Sequence, residues 1–104
     1  MTTTENLDLV TIVIQQKDQD KVINAILKAG APGATYYYGR GTGVRQRLGL
    51  LGRLIEAEKL VILTALPPEK TAAVVAAATK AAGLDQPGKG FLCVQRASQV
   101  VGYF

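Results

Sequence analysis

Strand-type and helix-type segments alternate along the chain in an order that occurs twice. Runs rich in β-branched and aromatic residues predict strands, and apolar residues at helical spacing predict helices. The predicted elements are a strand over Leu7–Gln15, a helix capped by Asp18 or Asp20 and ended by Gly30, strands over Ala34–Tyr38 and Lys59–Ala65, a helix from Pro68 to Gly83, a strand over Phe91–Gln95 and a short last strand over Gln99–Phe104. With right-handed crossovers, the order β-α-β-β-α-β predicts an α+β ferredoxin-like sandwich, in which both helices cover one face of a four-stranded antiparallel sheet.

The second face of this sheet has no predicted element to cover it. Two short helices cannot cover both faces of an apolar sheet, and a large exposed apolar face is typical of an interface. We therefore expect a homo-oligomer.

The length and composition of the chain exclude several classes of protein. Its 104 residues fit a single domain, with residues 1–6 as a polar tail. The one cysteine, Cys93, lies in an apolar strand and is expected in the core, and the absence of histidine excludes the usual zinc and haem sites and histidine-dependent hydrolases. The chain begins without the basic and apolar regions of a signal peptide, and no apolar stretch approaches the ~20 residues that span a bilayer. We therefore expect a cytoplasmic domain without a metal site.

The positive charge is concentrated in one segment. Between residues 39 and 55 there are four arginines and no acid, which equals the net charge of +4 of the whole chain. These residues are Arg40, Arg45, Arg47 and Arg53. A local basic segment points to an anionic ligand or partner, although a solvated loop has the same composition. The leucines between the arginines fit either an arm that contacts a partner or packing on the chain's own core.

Two glycine-rich segments are candidates for anion binding. The first is Gly39–Gly43, and the second runs from Gly83 to Gly90. The second segment differs from the phosphate-loop pattern G-x-x-x-x-G-K-[ST] in having Gly90 at the hydroxyl position, and it follows a helix instead of a strand. Glycine amides with Lys89 can still form an anion nest, whereas the alternative for both segments is an ordinary turn or hinge.

Nucleic-acid binding is disfavoured. Three consecutive tyrosines, Tyr36 to Tyr38, could stack on bases, but RNA-binding domains of this topology carry their aromatics on the first and third strands. The predicted strands Leu7–Gln15 and Lys59–Ala65 contain no aromatic residue. Because neighbouring strand residues face opposite ways, at least one tyrosine is expected in the core or an interface.

The topology and the two glycine-rich segments together resemble the PII signal-transduction superfamily over residues 7–101. The resemblance implies a homotrimer that binds adenine nucleotides in clefts between subunits. It also implies that residues 39–58, the T-loop of that family, contact a target protein such as a membrane transporter. Residues 83–90, its B-loop, would hold phosphate. The nucleotide-binding residues implied by the resemblance are Gly33, Ala34, Thr35, Gly39, Gly41, Thr42, Gly43, Lys59, Ala65, Pro87, Gly88, Lys89 and Gly90.

Departures from the family pattern identify a divergent PII-like member. Gly102 and Phe104 stand where members of the family carry two phosphate-binding arginines, and no tyrosine lies between residues 39 and 102. The run from Gly39 to Gly49 resembles groups associated with carboxysomes, bicarbonate transport or other transporter operons. Members of the carboxysome-associated group bind ADP or AMP and respond to bicarbonate. The resemblance therefore implies ADP, AMP or ATP as ligand. Bicarbonate would be a second ligand, held by T-loop arginines.

The function expected from these residues is regulation without catalysis. The alternative is a small ferredoxin-like enzyme that acts on a phosphorylated or carboxylated metabolite. The chain has no histidine, and its acids fall mostly at helix starts and in turns, which favours the regulator. No catalytic residue and no catalytic cofactor is assigned.

Overall fold

A computed structural model of the protein describes residues 3–41 and 57–102. The elements are β1 (Thr3–Gln15), a 3-10 helix (Gln16–Asp18), α1 (Gln19–Lys28), β2 (Thr35–Gly41), β3 (Ala57–Leu66), α2 (Pro68–Ala82) and β4 (Gly90–Val101). Among the described residues, no helix is long and apolar enough to cross a membrane.

The four strands form one antiparallel sheet in the order β2-β3-β1-β4. Both helices pack on one face of this sheet, so the predicted α+β ferredoxin-like fold is confirmed. Side chains alternate between the two faces of a strand, and a cluster of residues from β1, β3 and the two helices is fully buried where the helices pack on the sheet. They include Val10, Ile12 and Ile14 of β1, Leu60, Ile62 and Leu66 of β3, Val22 and Ile26 of α1, and Val74 and Ala78 of α2.

The helix ends follow from local chemistry. Pro68 begins α2, because the first helical position does not use the N–H that proline lacks. Gly83 ends α2 in the left-handed conformation with φ 66°, and the Leu84 N–H donates to the Thr79 carbonyl at 3.0 Å. The chain thus leaves α2 in a sharp turn towards the end of β1.

Strands β1 and β4 are longer than the sequence predicts. Strand β1 begins at Thr3, which pairs with Val101, so residues 3–6 are strand residues and not part of a tail. β4 continues to Val101, and the short separate strand predicted from Gln99 is its final part. Pairing in the β1–β4 ladder satisfies the backbone hydrogen-bonding groups at the start of β1 and at the end of β4. Because the two segments are far apart along the chain, the local sequence carries no signal of this pairing.

Strand β2 is also longer than predicted. It continues to Gly41, and Gly39 and Gly41 lie in a ladder opposite Lys59 and Ala57. The segment expected to open a loop at Gly39 therefore begins as a paired strand. The β3 backbone supplies the hydrogen-bond partners that make this extension favourable.

The sheet face opposite the helices is apolar, and no helix or strand of residues 3–41 and 57–102 covers it; we call it the uncovered face. Leu9, Thr11 and Val13 of β1 and Val61, Leu63 and Ala65 of β3 are half-buried there. Cys93 lies on the same face opposite Thr11 and is exposed, so the expectation of a core cysteine is wrong for the single chain. The tyrosines Tyr36, Tyr37 and Tyr38 are 44%, 53% and 55% exposed, so none of them is a core residue of the single chain.

Candidate functional site

Three residues from three strands lie in one row across an end of the sheet. Lys59 of β3 is paired with Gly39 of β2 on one side and with Gln15 of β1 on the other. The Lys59 side chain passes over Gly41, where an added Cβ would lie 3.7 Å from Lys59 Cγ. Glycine on β2 therefore leaves the surface beside the lysine open.

The connection between α2 and β4 lies at the same end of the sheet. Gln15 Nε2 donates a hydrogen bond of 3.0 Å to the carbonyl oxygen of Gly88. Gly90 has φ 129°, and a Cβ there would lie 2.1 Å from the Val13 carbonyl oxygen. A serine or threonine at position 90 is thus excluded by the β1 backbone, and the near match to the phosphate-loop pattern cannot carry that motif's hydroxyl.

The cations of this end are not neutralised by described acids. The ion pairs between described side chains are Lys21 with Asp18 at 3.2 Å and Arg96 with Asp8 at 2.8 Å. Lys59 and Lys89 are both half-buried, and neither has a carboxylate partner among residues 3–41 and 57–102. Two lysines beside glycine amides make this end of the sheet suitable for a phosphate or another anion. We call it the lysine end, defined by Gly39, Gly41, Lys59 and residues 87–90.

Arg40 lies on the other face of the sheet from Lys59. It is paired in register with Glu58, which places opposite charges on neighbouring strands. With Gln16, Tyr38 and Gly39, these two residues line a cleft of about 270 Å³. The fold therefore groups Arg40 with Glu58 and the 3-10 helix, and not with the lysine end.

Four of the nucleotide-binding residues implied by the family resemblance lie together at the opposite end of the sheet. Gly33, Ala34, Thr35 and Ala65 line one cleft of about 370 Å³. Its remaining walls are Leu9, Pro32, Leu63 and Thr64. Apolar walls with few polar groups suit a flat, largely apolar ring. We call this the base-side cleft.

The two groups do not meet within one chain. Lys59 and Ala65 stand near opposite ends of β3, which at a rise of ~3.3 Å per residue puts them roughly 20 Å apart. The described residues of the predicted nucleotide site therefore fall into two separate groups. Five further predicted residues, Thr42, Gly43, Arg45, Arg47 and Arg53, lie outside the described residues.

Two contacts in the site were not predicted from the sequence. At the lysine end, the Gln15 side chain donates a hydrogen bond to the Gly88 carbonyl oxygen. Beside the base-side cleft, Thr64 Oγ1 donates a hydrogen bond of 2.7 Å to the Gly33 carbonyl oxygen. Thr64 is a polar residue within an apolar strand and Gln15 is the polar last residue of one, and the sequence marks them by no other signal. Their partners lie 73 and 31 residues away along the chain.

The buried carboxylate of Asp8, on the helix-covered face, is held by two side-chain hydrogen bonds. Asp8 accepts a hydrogen bond of 2.6 Å from Thr71 Oγ1 and one of 2.8 Å from Arg96 Nε. The hydrogen bond from Thr71 and then that from Arg96 lower the pKa of Asp8 below its usual value. A carboxylate held ionised in this way is a poor general base.

Among the described residues, no cluster of acids, cysteine or histidine could hold a metal ion.

Solved structures of low sequence identity share this fold. PII from Arabidopsis thaliana bound to citrate aligns with a TM-score of 0.71 at 19% identity, covering 90% of this chain and 79% of that one. CPII, a nitrogen regulatory PII-like protein from Thiomonas intermedia K12 bound to ADP, AMP and bicarbonate, aligns with a TM-score of 0.73 at 15% identity. That alignment covers 99% of this chain and 100% of CPII. No sequence among curated proteins matches the chain significantly.

A family profile extends the comparison from fold to sequence. The profile described as "Nitrogen regulatory protein P-II" matches residues 7–102, which is nearly the whole chain. The matched region contains both glycine-rich segments, Lys59 and the base-side cleft. The chain belongs to the nitrogen regulatory protein P-II family.

Proposed function

We propose that the protein is a non-catalytic PII-like regulator that binds an adenine nucleotide between copies of the chain. The observation that carries the proposal is the separation of a cationic, glycine-rich lysine end from an apolar base-side cleft on one sheet. Each suits a different part of a nucleotide, and they lie roughly 20 Å apart along β3. A neighbouring copy can bring the cleft of one chain next to the lysines of another.

A homotrimer is the assembly that we propose for these copies. The uncovered face carries half-buried Leu9, Val13, Val61 and Leu63 beside exposed Phe91. An apolar face of this kind is stabilised when a second copy covers it. The family resemblance supports three subunits, and it also supports the cytoplasm as the location.

ADP or AMP is the proposed ligand, with ATP as a further candidate and bicarbonate as a second ligand. Lys59 and Lys89 supply two positive charges, and Gly102 stands where other family members have an arginine. CPII from Thiomonas intermedia K12 holds ADP, AMP and bicarbonate in the same fold. In our proposal, the arginines of residues 39–58 bind bicarbonate or a target protein such as a membrane transporter.

Calorimetric titration with AMP, ADP and ATP, each with and without bicarbonate, tests this function. We expect binding at about one site per chain, and a change in affinity on adding bicarbonate. Lys89→Ala and Lys59→Ala should each weaken ADP binding about tenfold, which corresponds to about 1.4 kcal/mol. Lys80→Ala, on the exposed surface of α2, is the control and should bind like the unmodified protein.

Three outcomes would contradict the proposal. Absence of binding by every adenine nucleotide would contradict the nucleotide site, and equal loss in the Lys80→Ala control would show a general charge effect. Release of inorganic phosphate from ATP would support the small enzyme instead.

The double variant Arg45→Ala, Arg47→Ala should keep the trimer and lose the response to bicarbonate or target.

A further inference from the structure

Gln15 connects two parts of the lysine end that are far apart in sequence. It is the last residue of β1, is half-buried, and lies opposite Lys59 in the β1–β3 ladder. Its Nε2 group donates to the carbonyl oxygen of Gly88 at 3.0 Å. One side chain therefore lies between a strand lysine and the loop that precedes β4.

We propose that Gln15 is a positioning residue that sets the direction of the Lys89 backbone N–H for an anionic phosphate group. This role rests on the proposed nucleotide function. In a trans peptide unit, the C=O and N–H groups point in opposite directions. Because the Gly88 carbonyl points at Gln15, the N–H of Lys89 in the same peptide unit points away from it.

The neighbouring glycines make this peptide unit depend on Gln15. Gly88 has φ 80° and Gly90 has φ 129°, so glycine on either side of Lys89 permits many backbone directions. Gly90 is paired with Ile14 and lies close to the Val13 carbonyl, which fixes the chain on the side after Lys89. The hydrogen bond from Gln15 fixes the carbonyl of Gly88, on the side before Lys89. Without it, the Gly88–Lys89 unit can rotate and the N–H donor is no longer preorganised.

The test separates positioning from general stability by using ligands with and without phosphate. Gln15→Met has nearly the same shape and length but no N–H donor. We expect it to weaken ADP binding about tenfold while the affinity for adenosine stays unchanged. Gln99→Met, the same replacement at an exposed site on β4, is the matched control and should leave both affinities unchanged.

A second measurement uses the unmodified protein and covers the case in which Gln15→Met fails to fold. In nitrogen-15 NMR spectra, ADP should shift the Gln15 side-chain amide and the Lys89 backbone amide, and adenosine should shift neither. Equal losses of ADP and adenosine affinity in Gln15→Met, or unshifted amides with ADP bound, would overturn the positioning role alone. If the unmodified protein binds neither ligand, the proposed function fails and the role of Gln15 fails with it.

Discussion

Thr64 of β3 donates a hydrogen bond of 2.7 Å from its Oγ1 to the carbonyl oxygen of Gly33. Thr64 is 4% exposed and stands among apolar strand residues, so its hydroxyl is one of the few polar groups inside the sheet. The bond ties the segment before β2 to the last part of β3. It thereby fixes the wall that Gly33, Ala34 and Thr35 contribute to the base-side cleft.

Thr64→Val should loosen this wall at almost constant volume. The replacement removes the donor of a part-buried hydrogen bond to the half-buried Gly33, and the loss of a typical hydrogen bond costs about 0.5–1.5 kcal/mol. We expect that loss of unfolding free energy in urea titrations, together with weaker adenosine binding. Thr64→Ser retains the hydroxyl and should keep most of the adenosine affinity. Equal adenosine binding by Thr64→Val and the unmodified protein would show that the bond does not shape the cleft.

Asp8 should make folding stability sensitive to acid. Hydrogen bonds from Thr71 and Arg96 lower the pKa of Asp8 in the folded state, so folding favours its ionised form. The stabilisation is therefore present above the ordinary carboxyl pKa of about 4 and is lost as the pH falls through the lower folded value. Unfolding free energy measured in urea from pH 7 to pH 2 should show this loss.

Asp8→Asn provides the comparison for this acid sensitivity. It should be less stable than the unmodified protein at pH 7 and should lose less stability between pH 4 and pH 2, because its amide does not titrate. Asp85→Asn, at an exposed position after α2, is the control and should follow the unmodified protein. Parallel pH curves for Asp8→Asn and the unmodified protein would contradict the assigned pKa direction.

The sequence was sufficient for the order of elements, and it failed where a feature depends on a distant strand. The run rich in β-branched residues over Leu7–Gln15 predicts a strand, and the structure has all of these residues in β1. The start of β1 at Thr3 depends on pairing with Val101 at the other end of the chain. No local pattern carries that information, so the polar first residues were predicted as a tail.

The candidate site was predicted in part for the same reason. Glycine and lysine motifs mark Gly88 and Lys89, and the family resemblance marks Gly33. The side chains that hold these segments, Gln15 and Thr64, carry no motif, since a single polar residue in a strand has many explanations. The apolar strand around Cys93 predicts a core position for it, but the register puts it opposite Thr11 on the uncovered face. The helices decide which face of the sheet is covered, so the sequence of one strand does not show whether its residues lie in the core.

Val61→Asp should dissociate the proposed trimer. Val61 is half-buried in the middle of the uncovered face, and a carboxylate there would have to lose its water in an interface between copies. Light scattering should give the mass of one chain, and ADP binding should fall because the two parts of the site separate. Ala76→Asp, on the exposed face of α2, is the control and should remain a trimer. A trimeric Val61→Asp variant would show that the copies meet through another surface.

Gly90→Ala should unfold more easily than any other glycine replacement at a similar backbone angle. Gly90 and Gly102 have φ values of 129° and 128°, so alanine is strained at both positions. An added Cβ at position 90 would lie 2.1 Å from the Val13 carbonyl oxygen, whereas one at position 102 would meet nothing within 4 Å. The strain costs of order 1–3 kcal/mol in each variant, and the clash adds to it at position 90 alone. We therefore expect Gly90→Ala to lose clearly more unfolding free energy in urea than Gly102→Ala. Equal losses would mean that β1 and β4 move apart at little cost, and that contact with Val13 does not hold the loop before β4.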